Sequence, residues 1–366
     1  MRPEISGPEG IGILGIGTHL PPEVRHNDWW PAATVARWNQ ARAAQLAAVR
    51  AAPPPAPTAP GVGMVLRAMA EQTDHDPFRG VVERRVLAAG ATATDMEAAA
   101  AEAALARAEL DRREVDVLLL HSAVPEYLLA NTACVLHHRL GLPTACLAME
   151  AQASAYSFLA QLALAEALVA AGRARHVLLV QSSAASRLID RDDPTSPAFG
   201  DAATAVVVGR VGAGRGVLAA VHRADGRCPS SLVASVPGGR WYDGRSVLHL
   251  GDPVGERKVI LDTVDQGHEV IGAVLAAGGH AADQVDFFAV HQGTPWLRRL
   301  TQEHAGLARA RSVDLFARTG YLFAASLPLV LATGAEQGLL AAGDLVVLFG
   351  GGTGITYGAS LVRWGR

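Results

Sequence analysis

The chain has 366 residues, half of them hydrophobic, and 32 Lys and Arg against 35 Asp and Glu give a net charge of −3. That is enough apolar sequence for one large or two medium domains, and the scattered basic residues build no contiguous positive surface of the kind nucleic acid requires. There is no uncharged apolar run of membrane-spanning length, and Glu4 and Glu9 among glycines and prolines make a poor secretion signal, so a soluble cytoplasmic protein with no membrane partner is expected.

In chain order, residues 11–17 read as a short strand with glycines for close packing. Gly15 and Gly17 lead into Thr-His-Leu-Pro-Pro rather than a helix, which excludes a dinucleotide loop. Residues 29–52 have helical spacing, the proline cluster 53–60 predicts a stiff surface connection, and a short helix follows at 63–73. Asp76 opens a loop that enters a strand, and a long alanine helix follows with Thr94 or Asp95 as its N-cap. A strand at 115–121, a helix at 131–140 and a strand at 145–149 lead to a very apolar helix at 154–171 that ends at Gly172. With Glu166 as its one charge, that helix is expected to be buried nearly all round, its amino end aimed into the interior. Cys134, Cys146 and Cys228 lack metal-ligand spacing and read as buried reduced thiols, with no metal site.

Two distant stretches read almost alike: Val-Asp-Val-Leu-Leu-Leu-His-Ser at 115–122 and Val-Asp-Phe-Phe-Ala-Val-His-Gln at 285–292. Each is an apolar run, preceded by Asp and closed by a His, as in a buried parallel strand that delivers a polar side chain at its carboxyl end. The register continues from the apolar run at 176–180 to Val346-Val347-Leu348-Phe349. This predicts a duplicated α/β unit with halves at 1–210 and 211–366 and an insert at about 30–75 in the first.

Further landmarks are Gly12-Ile-Leu-Gly-Ile-Gly17 with Leu20-Pro21, Gly80-Val-Val-Glu-Arg-Arg-Val, and Val124-Pro-Glu-Tyr with Asn131-Thr-Ala-Cys134. Phe199-Gly-Asp-Ala202, His291-Gln292, Ala324-Ala-Ser-Leu-Pro328, Gly350-Gly-Gly and Ile355-Thr-Tyr-Gly-Ala359 complete the set. In this order they resemble the thiolase superfamily, specifically β-ketoacyl-acyl-carrier-protein synthase III and its related acyltransferases. The resemblance implies a five-layered αβαβα fold made of two half-domains and a homodimer. It also implies an acyl carrier protein or acyl-coenzyme A as thioester donor, and no tightly bound cofactor. Asp76-Pro-Phe-Arg-Gly resembles the branch that serves secondary metabolism, polyketide assembly included, by moving acyl groups onto small-molecule or carrier-bound acceptors.

In that family a Cys at the amino end of the buried helix attacks the thioester. The flanking residues place it at 155, which is Ala. Three readings follow: a cysteine replaced by design to trap a bound thioester, use of the adjacent Ser154 as nucleophile, or a chain that forms no acyl-enzyme. The last includes a non-catalytic partner of a Cys-bearing ketosynthase. His291 matches the family's catalytic His, whereas its repeat mate His121 belongs to no matched motif and reads as structural. Tyr321 stands where decarboxylating members carry Asn, which speaks against a carbon–carbon-forming condensation. The backbone N–H of Ala155, with Gly352 and Gly354 of the glycine turn, is the expected oxyanion hole. Arg298 and Arg299 are candidates for the phosphates of coenzyme A or a phosphopantetheine arm.

Overall fold

The computed structural model describes residues 9–51, 59–73 and 76–366. Its first part comprises β1 (Glu9–His19), β2 (Glu23–His26), α1 (Ala32–Ala51), α2 (Pro60–Thr73), β3 (Glu83–Val86) and α3 (Ala93–Ala108). There follow β4 (Val117–Ser122), α4 (Thr132–Leu140), β5 (Leu147–Glu150), α5 (Ser157–Ala170), β6 (Val177–Ala184) and β7 (Asp201–Ala213). The second part runs β8 (Gly216–Ala224), β9 (Val233–Ser235), β10 (Val247–His249), α6 (Pro253–Gly278), β11 (Phe287–Val290) and α7 (Leu297–His304). It ends with α8 (Phe316–Thr319), α9 (Ser326–Glu336), β12 (Leu345–Gly352) and β13 (Thr356–Arg363).

Two mixed sheets organise these elements, in the orders β1-β7-β6-β4-β5 and β11-β12-β13-β8. Alternation along each strand decides the layering, because successive side chains of a strand face opposite sides. Val117 and Leu119 of β4 and Val346 and Leu348 of β12 point into one shared cluster with α5 and α9. Leu118 and Leu120 face α3 and α4 instead, and Leu345, Val347 and Phe349 face α6 and α7. The result is helix, sheet, helix, sheet, helix, the thiolase-like architecture.

The repeated Asp has the same duty in both copies. Asp116 Oδ2 accepts from the backbone N–H of Arg175 at 2.7 Å and of His176 at 3.1 Å, and Asp286 Oδ2 accepts from Leu345 at 2.8 Å. Each carboxylate thereby fixes where the neighbouring parallel strand begins. Close packing explains the glycines of β1: a Cβ on Gly17 would lie 2.0 Å from the Ala100 carbonyl oxygen, so α3 rests on bare backbone.

Several local expectations need correction. The N-cap of α3 is Thr92, not Thr94 or Asp95; its side chain accepts from the Asp95 N–H while the Asp95 carboxylate bonds back to Thr92. α5 starts at Ser157 and is capped by Ala171, with Gly172 just beyond at φ 66. It is not buried all round, since Leu164, Ala167 and Ala170 share an exposed stripe. Cys134 is exposed, whereas Cys146 and Cys228 are buried. Of the proline run 53–60 expected to form a stiff connection, 53–58 lie outside the described residues, and Pro60 is the first residue of α2 rather than part of a connection. On either side of it, α1 anchors to the first half through Trp38 Nε1, which donates to the Asp192 carbonyl at 2.8 Å. α2 anchors to α6, where the Asp265 carboxylate accepts from the N–H groups of Gly61 and Val62.

Glu97 in α3 is fully buried against the first sheet and accepts from Ser182 Oγ at 2.5 Å. Burial pushes its carboxyl up to about 7, with the Ser182 and Ser122 hydroxyls pulling it back. The folded state thus prefers the protonated group, whose stabilisation is whole below about pH 4.5 and is lost as pH rises through about 7. Thermal melts of Glu97→Gln are expected to gain on the unsubstituted chain at pH 8 relative to pH 5. An equal difference at both pH values would show that this carboxyl does not titrate in that window.

Candidate active site

The site is assembled where the segment before α5, the carboxyl end of β4 and the turn between β12 and β13 meet. Residues 153–156 make a tight turn: Tyr156 N–H donates to Ala153 O at 3.1 Å and Ser157 N–H to Ser154 O at 3.0 Å. Ser157 Oγ braces it, donating to Ser154 O at 2.6 Å and accepting from Ala153 N–H at 2.8 Å. Ser154 is held at φ 53, in the left-handed region that residues other than glycine rarely occupy. Gly352 sits directly against this turn, and a Cβ there would lie 2.5 Å from Ala153 O and 3.2 Å from Ala155 N. Its lack of a side chain brings Thr353 Oγ1 within 2.9 Å of Ser154 Oγ.

A cavity of about 320 Å³ opens beside the turn. His121, Gln152, Ser154 and Thr353 supply its polar groups, and apolar walls include Leu188 and Phe323. The two neighbours of the nucleophile position therefore differ in kind. Ser154 lines the cavity, whereas the methyl of Ala155 is packed with Ala185, Phe199 and Phe323.

Among the described residues, the lining includes neither His291 nor Tyr321. The His291 side chain is 7% exposed, and its Nδ1 accepts from the Gly351 N–H at 3.3 Å. Burial pushes its pKa down to about 4, so the ring is neutral near pH 7. The Tyr321 ring centroid lies 6.2 Å from that of His291 and 4.8 Å from that of Phe323, so the three rings pack as one group of which Phe323 lines the cavity. Burial also raises the Tyr321 phenol above its ordinary range, leaving it a neutral hydroxyl. Gln292 is structural, since its amide binds Val313 O and the N–H groups of Leu315 and Phe316.

Other sequence candidates fall elsewhere. A Cβ on Gly354 would meet nothing within 4 Å, so the space beside that glycine is open, and the N–H of Gly351 rather than Gly354 donates to the His291 ring. Arg298 is engaged by both oxygens of Asp314, at 2.6 and 2.8 Å, and by Gln302. Arg299 pairs with Glu303 on the same helix at 3.9 Å. Neither arginine reaches the cavity lining. Sequence reasoning missed Thr353, which carries no motif of its own, and set His121 aside as structural. His121 is only 3% exposed, it lines the cavity, and neither ring nitrogen has a hydrogen-bond partner among the described residues.

Comparison with known proteins bears on what such a site does. Residues 149–226 match the family model for 3-oxoacyl-[acyl-carrier-protein] synthase III, and residues 275–364 match the model for its C-terminal part. A β-ketoacyl-[acyl-carrier-protein] synthase III of Bacillus pumilus is 31% identical over 288 residues, covering 78% of this chain and 88% of the relative. The enzyme of the same name from Rhodospirillum rubrum is 35% identical over 290 residues, with the same coverage. The crystal structure of 3-oxoacyl-[acyl-carrier-protein] synthase III from Aquifex aeolicus superposes with a TM-score of 0.77 at 25% identity, over 97% of this chain and all of that one. The Pseudomonas aeruginosa structure gives the same score at 27% identity, over 98% and 99% of the two chains. The chain belongs to the 3-oxoacyl-[acyl-carrier-protein] synthase III family, enzymes of the thiolase superfamily that transfer and condense acyl groups.

Proposed function

We propose that this chain is an acyltransferase that takes an acyl group from a coenzyme A or acyl-carrier-protein thioester onto Ser154 and passes it to a small-molecule or carrier-bound acceptor. The observation that carries this reading is the exchange of roles across one peptide bond. Position 155 offers a buried methyl, while the hydroxyl of Ser154 faces the cavity beside Thr353. In the first step the Ser154 oxygen attacks the thioester carbonyl, and the C–S bond breaks to release the thiol. In the second an acceptor hydroxyl, amine or thiol takes the acyl group and restores the serine. In this reading the backbone N–H of Ala155, beside Gly352, stabilises the tetrahedral oxyanion, those of Ala153 and Tyr156 being taken within the turn.

A carbon–carbon condensation needs an enolate stabiliser, and the Asn that decarboxylating members carry is replaced here by Tyr321. That favours transfer to a heteroatom. A place in secondary metabolism rests on the Asp76-Pro-Phe-Arg-Gly segment, where the Asp76 carboxylate accepts from the N–H groups of Phe78 and Gly80 and shapes the entry to β3.

The functional unit in this reading is a homodimer. β5 is an edge strand with a sheet neighbour on one side only, and Leu147 on it is 56% exposed. Leu129 of the preceding loop is 99% exposed, and Leu164 of α5 is 46% exposed. An open apolar edge of this kind is a template for pairing with a second copy.

Two measurements check these statements. After incubation with acyl-coenzyme A thioesters, intact mass is expected to rise by one acyl group, and Ser154→Ala is expected to abolish the gain. No acyl mass on the unsubstituted protein with any thioester would sink the covalent route. In light-scattering measurements the protein is expected at twice its 38.1 kDa chain mass. Leu147→Asp with Leu164→Glu is expected to shift it to the monomer, and an unsubstituted chain that is already monomeric would contradict the dimer.

A further inference from the structure

A serine hydroxyl stays protonated near neutral pH and needs a base within reach when it attacks. His291, the base implied by the resemblance, is not among the described residues that line the cavity, and its Nδ1 already accepts from Gly351. The duplicated fold supplies a second histidine at the equivalent point. His121 stands in β4, one residue after Leu120, as His291 stands one residue after Val290 at the end of β11. Both share the strand face that carries Val117 and Leu119 in one half and Phe287 and Ala289 in the other, the face that packs on the central helices. The two imidazoles therefore approach the α5 turn from opposite sheets.

Their surroundings differ sharply. The residue paired with His121 across the sheet, Gln181, is fully used: its Nε2 donates to Gln161 at 2.6 Å and its Oε1 accepts from Thr204 at 3.2 Å. Gln161 in turn donates to the Ala151 carbonyl at 3.1 Å. His121 takes no part in this chain, and both its ring nitrogens are left without a protein partner in a wall of the cavity that Ser154 also lines. A buried polar group without a partner is destabilising, so a ring kept in that state is one whose partners arrive with the substrate.

We infer that His121, not His291, is the general base of the acyl transfer, and this rests on Ser154 being the nucleophile. A ring nitrogen of neutral His121 takes the Ser154 Oγ proton as the Oγ–C bond forms, and the resulting imidazolium gives that proton to the departing thiolate as the C–S bond breaks. In the second half-reaction His121 takes the proton of the acceptor and returns one to Ser154 Oγ as the ester bond breaks. The same lone pair and N–H select an acceptor with a hydrogen-bonding hydroxyl or amine over a purely alkyl one. Burial keeps the ring neutral near pH 7, its pKa pushed down to about 4, so the lone pair is available.

The test uses two reagents on the purified full chain: acyl-coenzyme A thioesters, and phenylmethanesulfonyl fluoride, which labels an activated serine with loss of fluoride. With both, label on Ser154 is expected to form about a hundredfold or more slowly in His121→Ala, to be restored by added imidazole, and to stay within a few-fold of normal in His291→Asn. His121→Leu is expected to lose labelling while melting at a higher temperature, since it removes an unpartnered polar group. A structural histidine would give the opposite shift. Normal labelling in His121→Ala, or its loss in His291→Asn alone, overturns the inference and leaves Ser154 standing as nucleophile. Absence of label from the unsubstituted chain with both reagents defeats the serine reading and this inference together.

Discussion

The site depends on one close approach, that of Gly352 to the turn before α5. A methyl group at residue 352 would lie 2.5 Å from the Ala153 carbonyl, well inside contact distance, so any side chain would push the two halves apart at that point. The approach couples the second sheet, through β12, to the segment that carries Ser154. It sets Thr353 at hydrogen-bond distance from Ser154 and supports a serine backbone in the left-handed region. Such local strain persists only where the surroundings over-determine it, here by the two hydrogen bonds of Ser157 and by the glycine turn.

A second constraint is the treatment of buried polar groups. The interior holds many of them, and most are paired: Glu97 with Ser182, Gln161 with Gln181, Asp201 with the N–H groups of Leu87 and Ser186. Arg84, buried beneath Trp30, is bound to Pro197 O, Arg25 O and Asn27. Among the described residues a few buried polar atoms lack a partner, Ser231 Oγ and Thr301 Oγ1 included, and His121 is the one side chain of that group that lines the cavity with Ser154. The family's architecture is retained, and in the proposed reading the groups that meet the substrate are Ser154 and His121 of the first half rather than position 155 and His291.

The fold was legible because its signals are periodic and duplicated. The Asp, apolar run and His of 115–122 recur at 285–292, and both aspartates prove to hold the start of the neighbouring strand. The alanine at 155 is plain in the sequence, but that it marks a nucleophile position is what the family resemblance of its flanking residues implies. What could not be read was orientation across the fold. Nothing in the sequence shows that Asp314 captures Arg298, that Tyr321 packs beside His291, or that Gln181 finds its partners in Gln161 and Thr204 rather than in His121. Those outcomes depend on side chains far apart in the chain. The Thr92 cap was misplaced for a smaller reason: three candidate capping residues lie within four positions, and only the backbone turn selects among them.

The most direct test of the account is a crystal structure of the protein after exposure to an acyl-coenzyme A thioester. The account predicts continuous density from Ser154 Oγ to the acyl carbonyl carbon, with the chain in the cavity and His121 facing the new ester. An acyl group attached to any other residue, or an intact thioester whose carbonyl lies against His291 and Tyr321, would contradict it.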